Sequence, residues 1–203
     1  MESLQAHTIN LYMSDKRIEA ILIGGSAGSF ESFSNLVRAA SGPDMPPIVG
    51  IFHLRRNVEN HAIEVLKHKT GHPRIVEAEE KESLRPGWVY VAPSNYHLLI
   101  EENKTFCLDT SDFVDFSRPS IDVTFESASL VYGETLVGIL LSGSNADGAR
   151  GMQHIETRGG TTLVQDPAEA EFKTMPQACI RLLQKPHIYT LHTIGEFLSK
   201  IRA

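Results

Sequence analysis

Three polar side chains follow predicted strand ends and could together form a hydrolytic site. Ser26 follows a strand over residues 18–23, within the turn Gly24-Gly25-Ser26-Ala27-Gly28. His53 follows a second strand over residues 48–52, and Asp147 lies in the loop after a strand that ends at residue 141. Serine, histidine and aspartate can act as a nucleophile, a base and a carboxylate that orients the base. These residue types therefore predict acyl-transfer chemistry.

The glycine-rich turn has two interpretations. It fits the pattern G-x-S-x-G at a strand-to-helix turn, which presents a serine hydroxyl for nucleophilic attack. Alternatively, its backbone amides could cradle a phosphate at a helix N-terminus, with Ser26 or Ser29 capping the helix. Ser26 stands where the dinucleotide pattern G-x-G-x-x-G needs its second glycine, which disfavours a Rossmann site. From these residues alone, a nucleophile and a phosphate cradle both remain open.

The base and the carboxylate also have competing interpretations. A lone histidine at the end of an apolar strand is more often structural, but consecutive strands are commonly neighbours, which would bring His53 close to Ser26. Asp166 also follows a strand, and either aspartate could cap the next helix. Asp147 is favoured because Gly143 and Gly148 flank it and allow its loop to fold back over the sheet.

The elements around these residues alternate between strand and helix. Apolar runs near 18–23, 48–52, 135–141, 161–164 and 188–191 alternate with helical patterns near 30–40, 58–69, 120–132, 146–157, 168–183 and 194–201. Residues 88–91 and 97–100, with 105–108 as a further strand, indicate an antiparallel hairpin. We predict an α/β fold with a doubly wound, mostly parallel sheet in three α/β/α layers and the hairpin at one edge.

Composition excludes several classes of protein. The chain has 203 residues, a net charge of −6 and 41% hydrophobic residues, which is typical of a globular domain and argues against binding to nucleic acid or anionic membrane. No apolar run approaches the ~20 residues of a membrane span, so we expect a cytoplasmic protein without membrane insertion. Cys107 and Cys179 have no metal-ligand spacing, and both are interpreted as buried thiols.

Collinear motifs resemble the catalytic domain of the chemotaxis protein-glutamate methylesterases. They run in family order across about residues 18–190. The first two are a Gly-Ala-Ser-x-Gly-Gly loop, similar to residues 24–29, and a His-Met-Pro segment matched only by His53. The others are Pro-Gly-x-Val-Tyr-Ile-Ala-Pro-x-x-x-His at 86–97, Arg-Pro-Ser-Val-Asp at 118–122, Thr-Gly-Met-Gly-x-Asp-Gly at 142–148, Gly-Gly-x-Thr-x-x-Gln-Asp at 159–166 and Met-Pro-x-x-Ala-Ile at 175–180.

The resemblance implies a serine hydrolase that removes methyl esters from receptor glutamates and can deamidate glutamines. It assigns Ser26 as the nucleophile, His53 as the general base and Asp147 as the group that holds the imidazole, and it favours Asp147 over Asp166. Contacts to the oxyanion or the substrate are expected from residues around this centre: Ala27, His97, Arg118, Ser144 and Asn145. No metal or organic cofactor is implied.

Departures from the family pattern bear on substrate and regulation. Ser144 and Asn145 replace Met and Gly, which leaves two alternatives open: a hydrolase of another acyl substrate, or a non-catalytic module that binds a receptor. We expect residues 1–16 to be an N-terminal lead-in, too short for a phosphorylation receiver domain, and residues 17–203 to be the catalytic domain. The implied partner is a methylated receptor helix, with a methyltransferase or sensor-kinase assembly as a further candidate. Arg55, Arg56 and Arg118 could steer such an acidic helix.

Overall fold

The main sheet formed by the described residues has seven strands, and all of them are parallel. The computed structural model describes residues 17–40, 42, 44–53 and 61–202. The strands of this sheet are β1 (Ala20–Gly25), β2 (Ile48–Phe52), β3 (Ile75–Glu77), β4 (Val89–Val91), β7 (Leu136–Leu140), β8 (Thr161–Gln165) and β9 (Ile188–Tyr189). A separate two-stranded sheet contains β5 (His97–Ile100) and β6 (Phe106–Asp109).

Strand β1 lies at the centre of the main sheet, where the direction of winding reverses. The strand order is β3-β4-β2-β1-β7-β8-β9, so β1 pairs with β2 on one side and with β7 on the other. In sheets of this kind, ligands bind in the crevice beyond the carboxyl ends of the strands at the point of reversal. Ser26 after β1, His53 after β2 and the loop after β7 lie at that edge of the sheet.

Within the described residues, six α-helices cover the two faces of the sheet. They are α1 (Phe30–Ala39), α2 (Ala62–Thr70), α3 (Ile121–Tyr132), α4 (Ala149–Thr157), α5 (Thr174–Leu182) and α6 (Leu191–Lys200). Helices α1, α2 and α6 bury their apolar sides in one core, which includes Phe33 and Phe197. Helices α3, α4 and α5 bury theirs in a second core, which includes Phe125 and Met152. The predicted fold class, a mostly parallel sheet in three layers, is confirmed.

The hairpin differs from the prediction in its strands and its position. Residues 89–91 do not pair with 97–100; they form β4 inside the main sheet, between β3 and β2. The hairpin joins β5 to β6 in a sheet of its own, with Leu98 opposite Leu108. All three residues of β4 are buried, as expected for a strand covered on both faces, and this continuous burial distinguishes it from a half-exposed hairpin strand.

Other elements shift from their predicted bounds. The edge strand β3 was not predicted, and the helix expected from residue 168 begins at residue 174, because residues 166–173 form turns that bond to the loop after β7. Cys179 is buried as predicted, whereas Cys107 lies on β6 and is only half-buried. Within the described ranges, no helix is long and apolar enough to cross a membrane. The predicted lead-in over residues 1–16 lies outside the described residues.

Candidate active site

The serine and the histidine singled out by the sequence follow paired positions of neighbouring strands. Gly25 of β1 is the parallel partner of Phe52 of β2, so Ser26 and His53 are the next residues in this register. Asp147 lies in the loop after β7, on the other side of β1. Three segments that are far apart in sequence thus converge at the carboxyl edge of the sheet.

His53 is hydrogen-bonded to Asp147. The His53 Nε2 atom lies 2.8 Å from Asp147 Oδ2; the aspartate side chain is fully buried, and the histidine side chain is 16% exposed. A carboxylate only accepts hydrogen bonds, so Nε2 carries the proton and Nδ1 keeps a lone pair for another partner. No hydrogen bond joins the Ser26 hydroxyl to this ring within the described part of the chain. In unliganded sites such contacts are often long and shorten when substrate binds.

Asp147 docks against the N-terminus of helix α3. Its Oδ2 accepts from the Ile121 N–H at 2.8 Å, and its Oδ1 accepts from the Asp122 N–H at 2.9 Å. Oδ1 also accepts from the Ser120 hydroxyl at 2.9 Å and from the Gly148 N–H at 3.0 Å. The first amides of a helix have no partner within the helix, and the helix dipole favours an anion there. The carboxylate therefore satisfies amides that would otherwise be unpaired.

These donors determine the protonation state of Asp147. Burial alone would raise its pKa, but the hydrogen bond from His53 and those from the backbone of Asp122 and Ile121 outweigh burial. The pKa of Asp147 is therefore lowered from its ordinary value. The carboxylate is ionised at neutral pH and can hold the His53 ring in one orientation and one tautomer.

His97 and Asp122 hold the N-terminus of α3, to which the Asp147 carboxylate is bonded. His97 is buried; its Nδ1 accepts from the Ser120 N–H at 3.2 Å, and its Nε2 lies 3.0 Å from the Asp112 carbonyl. Both ring nitrogens of His97 are thus used within the protein. The Asp122 side chain accepts from the Gly151 N–H at 2.7 Å and from Arg150 Nε at 3.0 Å, which ties α3 to α4. Burial and then the nearby charge of Asp147 raise the pKa of Asp122 despite these donors.

Ser142 connects the turn after β1 with the loop after β8. Its carbonyl accepts from the Ser26 N–H at 2.9 Å, and its hydroxyl donates to the Ala27 carbonyl at 2.8 Å. The same hydroxyl accepts from the Phe172 N–H at 2.9 Å. The Ser142 N–H donates to the buried Gln165 side chain at 2.8 Å. Ser26 therefore lies on a turn that is held on both sides.

The remaining predicted residues occupy different parts of the site. Ser144 is exposed, and Ala27 and Asn145 are half-buried; the Asn145 side chain accepts from the Asp147 N–H at 3.3 Å. Arg118 donates from Nη1 to the carbonyls of residues 110 and 111, and its guanidinium lies 4.5 Å from the ring centre of Phe113. Arg118 thus holds the loop between β6 and α3.

The sequence analysis also considered Asp166 and two arginines after His53. Asp166, the competitor of Asp147, accepts from the Ala168 N–H at 2.8 Å within its own turn. Arg55 and Arg56 lie outside the described residues, as do the positions directly after His53 up to residue 60.

Sequence reasoning missed several residues that this geometry brings forward: Ser120, Asp122, Ser142 and Gln165. All four are polar and buried. The available signal for Ser120 and Asp122 was their position at a predicted helix start, where a helix presents unpaired amides. Nothing in the sequence indicated that a carboxylate from another loop would occupy that helix end.

The fold and the site together define a parallel α/β protein with a buried aspartate–histidine pair beside a serine turn. Residues 21–198 match the family described as CheB methylesterase, and the chain belongs to that family. It is 42% identical, over 90% of this chain and 94% of the relative, to a putative protein-glutamate methylesterase/protein-glutamine glutaminase of Leptospira interrogans.

A second relative and a solved structure also match most of this chain. Protein-glutamate methylesterase FrzG of Myxococcus xanthus is 30% identical over 89% of this chain, which spans 54% of FrzG. Among solved structures, the CheB methylesterase catalytic domain of Thermotoga maritima superposes with a TM-score of 0.80 at 26% identity, covering 90% of this chain and 98% of that domain. The similarity to that domain thus extends over nearly all of its fold.

Proposed function

We propose that this chain is a protein-glutamate methylesterase in which Ser26, His53 and Asp147 form a catalytic triad. The observation that carries the proposal is the 2.8 Å hydrogen bond between His53 and the buried Asp147, with Ser26 next to His53 in the strand register. Membership of the CheB methylesterase family supports the reaction class. The substrate is a glutamyl methyl ester on a receptor helix, and glutamine deamidation follows the same steps with ammonia as the leaving group.

The first half of the reaction transfers the acyl group to Ser26. His53 Nδ1 accepts the proton of the Ser26 hydroxyl while the oxygen attacks the ester carbonyl. Asp147 accepts from Nε2 throughout and stabilises the imidazolium that forms. The tetrahedral intermediate then collapses, the bond to the methoxy oxygen breaks, and His53 returns the proton to that oxygen. Methanol leaves, and the glutamyl group remains as an ester on Ser26.

The second half regenerates the enzyme. Water attacks the glutamyl-Ser26 ester while His53 Nδ1 takes a proton from it. The second intermediate collapses, and His53 returns the proton to Ser26. The product is a glutamate carboxylate. In each half the negative oxygen needs a preorganised donor, and one such donor typically contributes ~3 kcal/mol to the barrier reduction.

This assignment uses the two ring nitrogens in a defined way. Nε2 faces Asp147, so Nδ1 is the atom that exchanges protons with Ser26. Asp147 is buried and ionised, and it cannot take the proton from Nε2 without losing the hydrogen bonds that lower its pKa. It therefore positions and stabilises the ring and does not itself transfer a proton.

Methanol release from a methylated receptor fragment tests the proposal. We expect release by the wild type, none by Ser26→Ala, and a loss of about three to four orders of magnitude in kcat for Asp147→Asn. Asp166→Asn is the matched control, because Asp166 also follows a strand but its side chain accepts from the Ala168 N–H within its own turn. Equal activity in Asp147→Asn and Asp166→Asn would contradict the triad.

A second candidate function is the hydrolysis of another acyl substrate. The observation that favours it is the exposure of Ser144 in the loop that carries Asp147, where the family pattern has an apolar methionine. Labelling of Ser26 by a fluorophosphonate without methanol release from the receptor fragment would select this alternative. Neither labelling nor release would leave a non-catalytic receptor-binding module.

A further inference from the structure

The hydroxyl of Ser29 is directed away from the helix that it begins. Ser29 is the N-cap residue of α1, but its side chain makes no capping hydrogen bond to that helix. Instead the fully buried hydroxyl donates to the Ser26 carbonyl at 2.6 Å, and the Ser29 N–H donates to the same carbonyl at 3.1 Å. One residue thus supplies two hydrogen bonds to the carbonyl of the proposed nucleophile.

These bonds fix the orientation of a neighbouring amide. The Ser26 carbonyl and the Ala27 N–H belong to one planar trans peptide, in which the two groups point in opposite directions. Holding the carbonyl toward Ser29 therefore directs the Ala27 N–H away from α1. Within the described residues this N–H has no hydrogen-bond partner. An unpaired amide directly after a nucleophile on a strand-to-helix turn is where an oxyanion donor lies.

Gly25 provides the space that the Ser29 side chain occupies. A Cβ atom added at Gly25 would lie 2.5 Å from Ser29 Oγ and 2.6 Å from Ser29 Cβ, which is closer than atoms in real structures approach. The contact is with a side chain that is fully buried and hydrogen-bonded to the Ser26 carbonyl. A side chain at position 25 and the present position of the Ser29 hydroxyl are therefore mutually exclusive.

We propose that Ser29 is a positioning residue that aims the Ala27 N–H at the oxyanion, and that Gly25 makes this arrangement possible. The inference rests on the proposed function, since it assumes that Ser26 is the nucleophile. Ser29 touches neither substrate nor the reacting atoms and acts through the peptide between Ser26 and Ala27. Its contribution is specific to the transition state, because the negative charge forms only there.

Ser29→Ala tests the role of the hydroxyl, with Ser34→Ala as the matched control. Ser34 is also fully buried and donates from its hydroxyl to a backbone carbonyl, that of Phe30, within the same helix. We expect Ser29→Ala to lower kcat for methanol release by about tenfold or more with KM changed less than twofold. The affinity for a trifluoromethyl ketone analogue of the substrate should fall by the same factor. Ser34→Ala should leave kcat unchanged.

Ser29→Thr restores the hydroxyl and is expected to recover most of kcat. Loss of kcat in Ser34→Ala equal to that in Ser29→Ala, or an unchanged kcat in Ser29→Ala, overturns the inference. If the wild type neither releases methanol nor is labelled by a fluorophosphonate at Ser26, the proposed function fails and this inference falls with it. An active wild type with an unaffected Ser29→Ala variant overturns the inference alone.

A double-mutant cycle tests the pairing with Gly25 even where single variants fold poorly. Gly25→Ala alone should lower both the midpoint of thermal unfolding and kcat. In a Ser29→Gly background, where the opposing atoms are absent, the same Gly25→Ala change should cost much less in unfolding midpoint. Equal costs in the two backgrounds would show that the residues are independent and would overturn the second part of the inference.

Discussion

The backbone N–H of Ile121 donates to the same Asp147 oxygen that accepts from the His53 ring. Both hydrogen bonds are 2.8 Å long, and both end on Oδ2. The orientation of His53 is therefore tied to the start of helix α3 through one carboxylate. Substitutions at the start of α3 should therefore alter the orientation of the His53 ring, although they lie outside the Ser26 turn.

Loss of the Ser120 hydroxyl should weaken the site without removing any proposed triad residue. Ser120→Ala deletes one of the donors to the buried Asp147, and we expect it to reduce the free energy of unfolding by about 1–3 kcal/mol. The carboxylate would then hold His53 less firmly, which should lower kcat by about ten- to a hundredfold. Ser129→Ala is the control, since Ser129 is buried on the same helix and its hydroxyl donates to the Glu126 carbonyl. Equal kcat in the two variants would refute the coupling.

The lowered pKa of Asp147 predicts an acid-sensitive contribution to stability. Its hydrogen bonds stabilise the ionised form in the folded state, so the contribution is fully present above its unfolded pKa of about 4. The contribution is lost as the pH falls through the lower pKa of the folded state. Between pH 5 and pH 3, stability measured by urea unfolding should fall more steeply for the wild type than for Asp147→Asn. Parallel curves would contradict this assignment.

The two cysteines should differ in their reaction with a thiol reagent. Cys179 is fully buried, and burial raises the pKa of its thiol to about 12. Cys107 is only half-buried on β6, and burial and then Glu80 raise the pKa of its thiol. Titration of the native protein with Ellman's reagent should modify Cys107 slowly, and Cys179 only after addition of denaturant. A Cys107→Ser variant that still reacts in the native state would disprove the buried position of Cys179.

Gly151 should tolerate no side chain. A Cβ atom there would lie 2.5 Å from the Cβ of Phe125 and 3.1 Å from the backbone of Asp122, at the contact between α3 and α4. Because backbone atoms form part of this contact, Gly151→Ala should destabilise the fold by about 1–3 kcal/mol, as overpacking in a tight core does. Gly159→Ala at the end of α4 gives a comparison in which Cβ meets only the Glu134 side chain, although its φ of +81° adds backbone strain. A smaller loss at Gly151 than at Gly159 would contradict this packing argument.

The sequence was sufficient to predict which residues lie at the ends of strands. Ser26, His53 and Asp147 were found because each follows a strand and because parallel strands place their carboxyl ends at one edge. Asp147 contacts His53, whereas the Asp166 side chain bonds within its own turn. These contacts depend on the tertiary structure, and the sequence spacing of the two aspartates does not predict them. The flanking glycines favoured Asp147, and the resemblance to a family supported the same choice.

Strand partners were harder to predict than the strands themselves. Residues 89–91 and 97–100 are close in the chain, which suggested a hairpin, yet β4 pairs with β2 and β3 while β5 pairs with β6. Strands that are close in the chain do not pair with each other when one of them pairs with other strands of a larger sheet, as β4 does. The continuous apolar character of β4 was the available clue, since a buried parallel strand needs no alternation of polar and apolar residues.

The central position of β1 also has a consequence for the order in which the chain acquires its site. Ser26 and His53 are synthesised before β7, and Asp147 follows 94 residues after His53. Until that later segment pairs with the free edge of β1, the histidine has no carboxylate to orient it. If the proposed triad acts, a chain still emerging from the ribosome, or one truncated within α3, would carry Ser26 without the carboxylate that orients its base. We therefore expect hydrolysis to begin only when β1 has paired with β7.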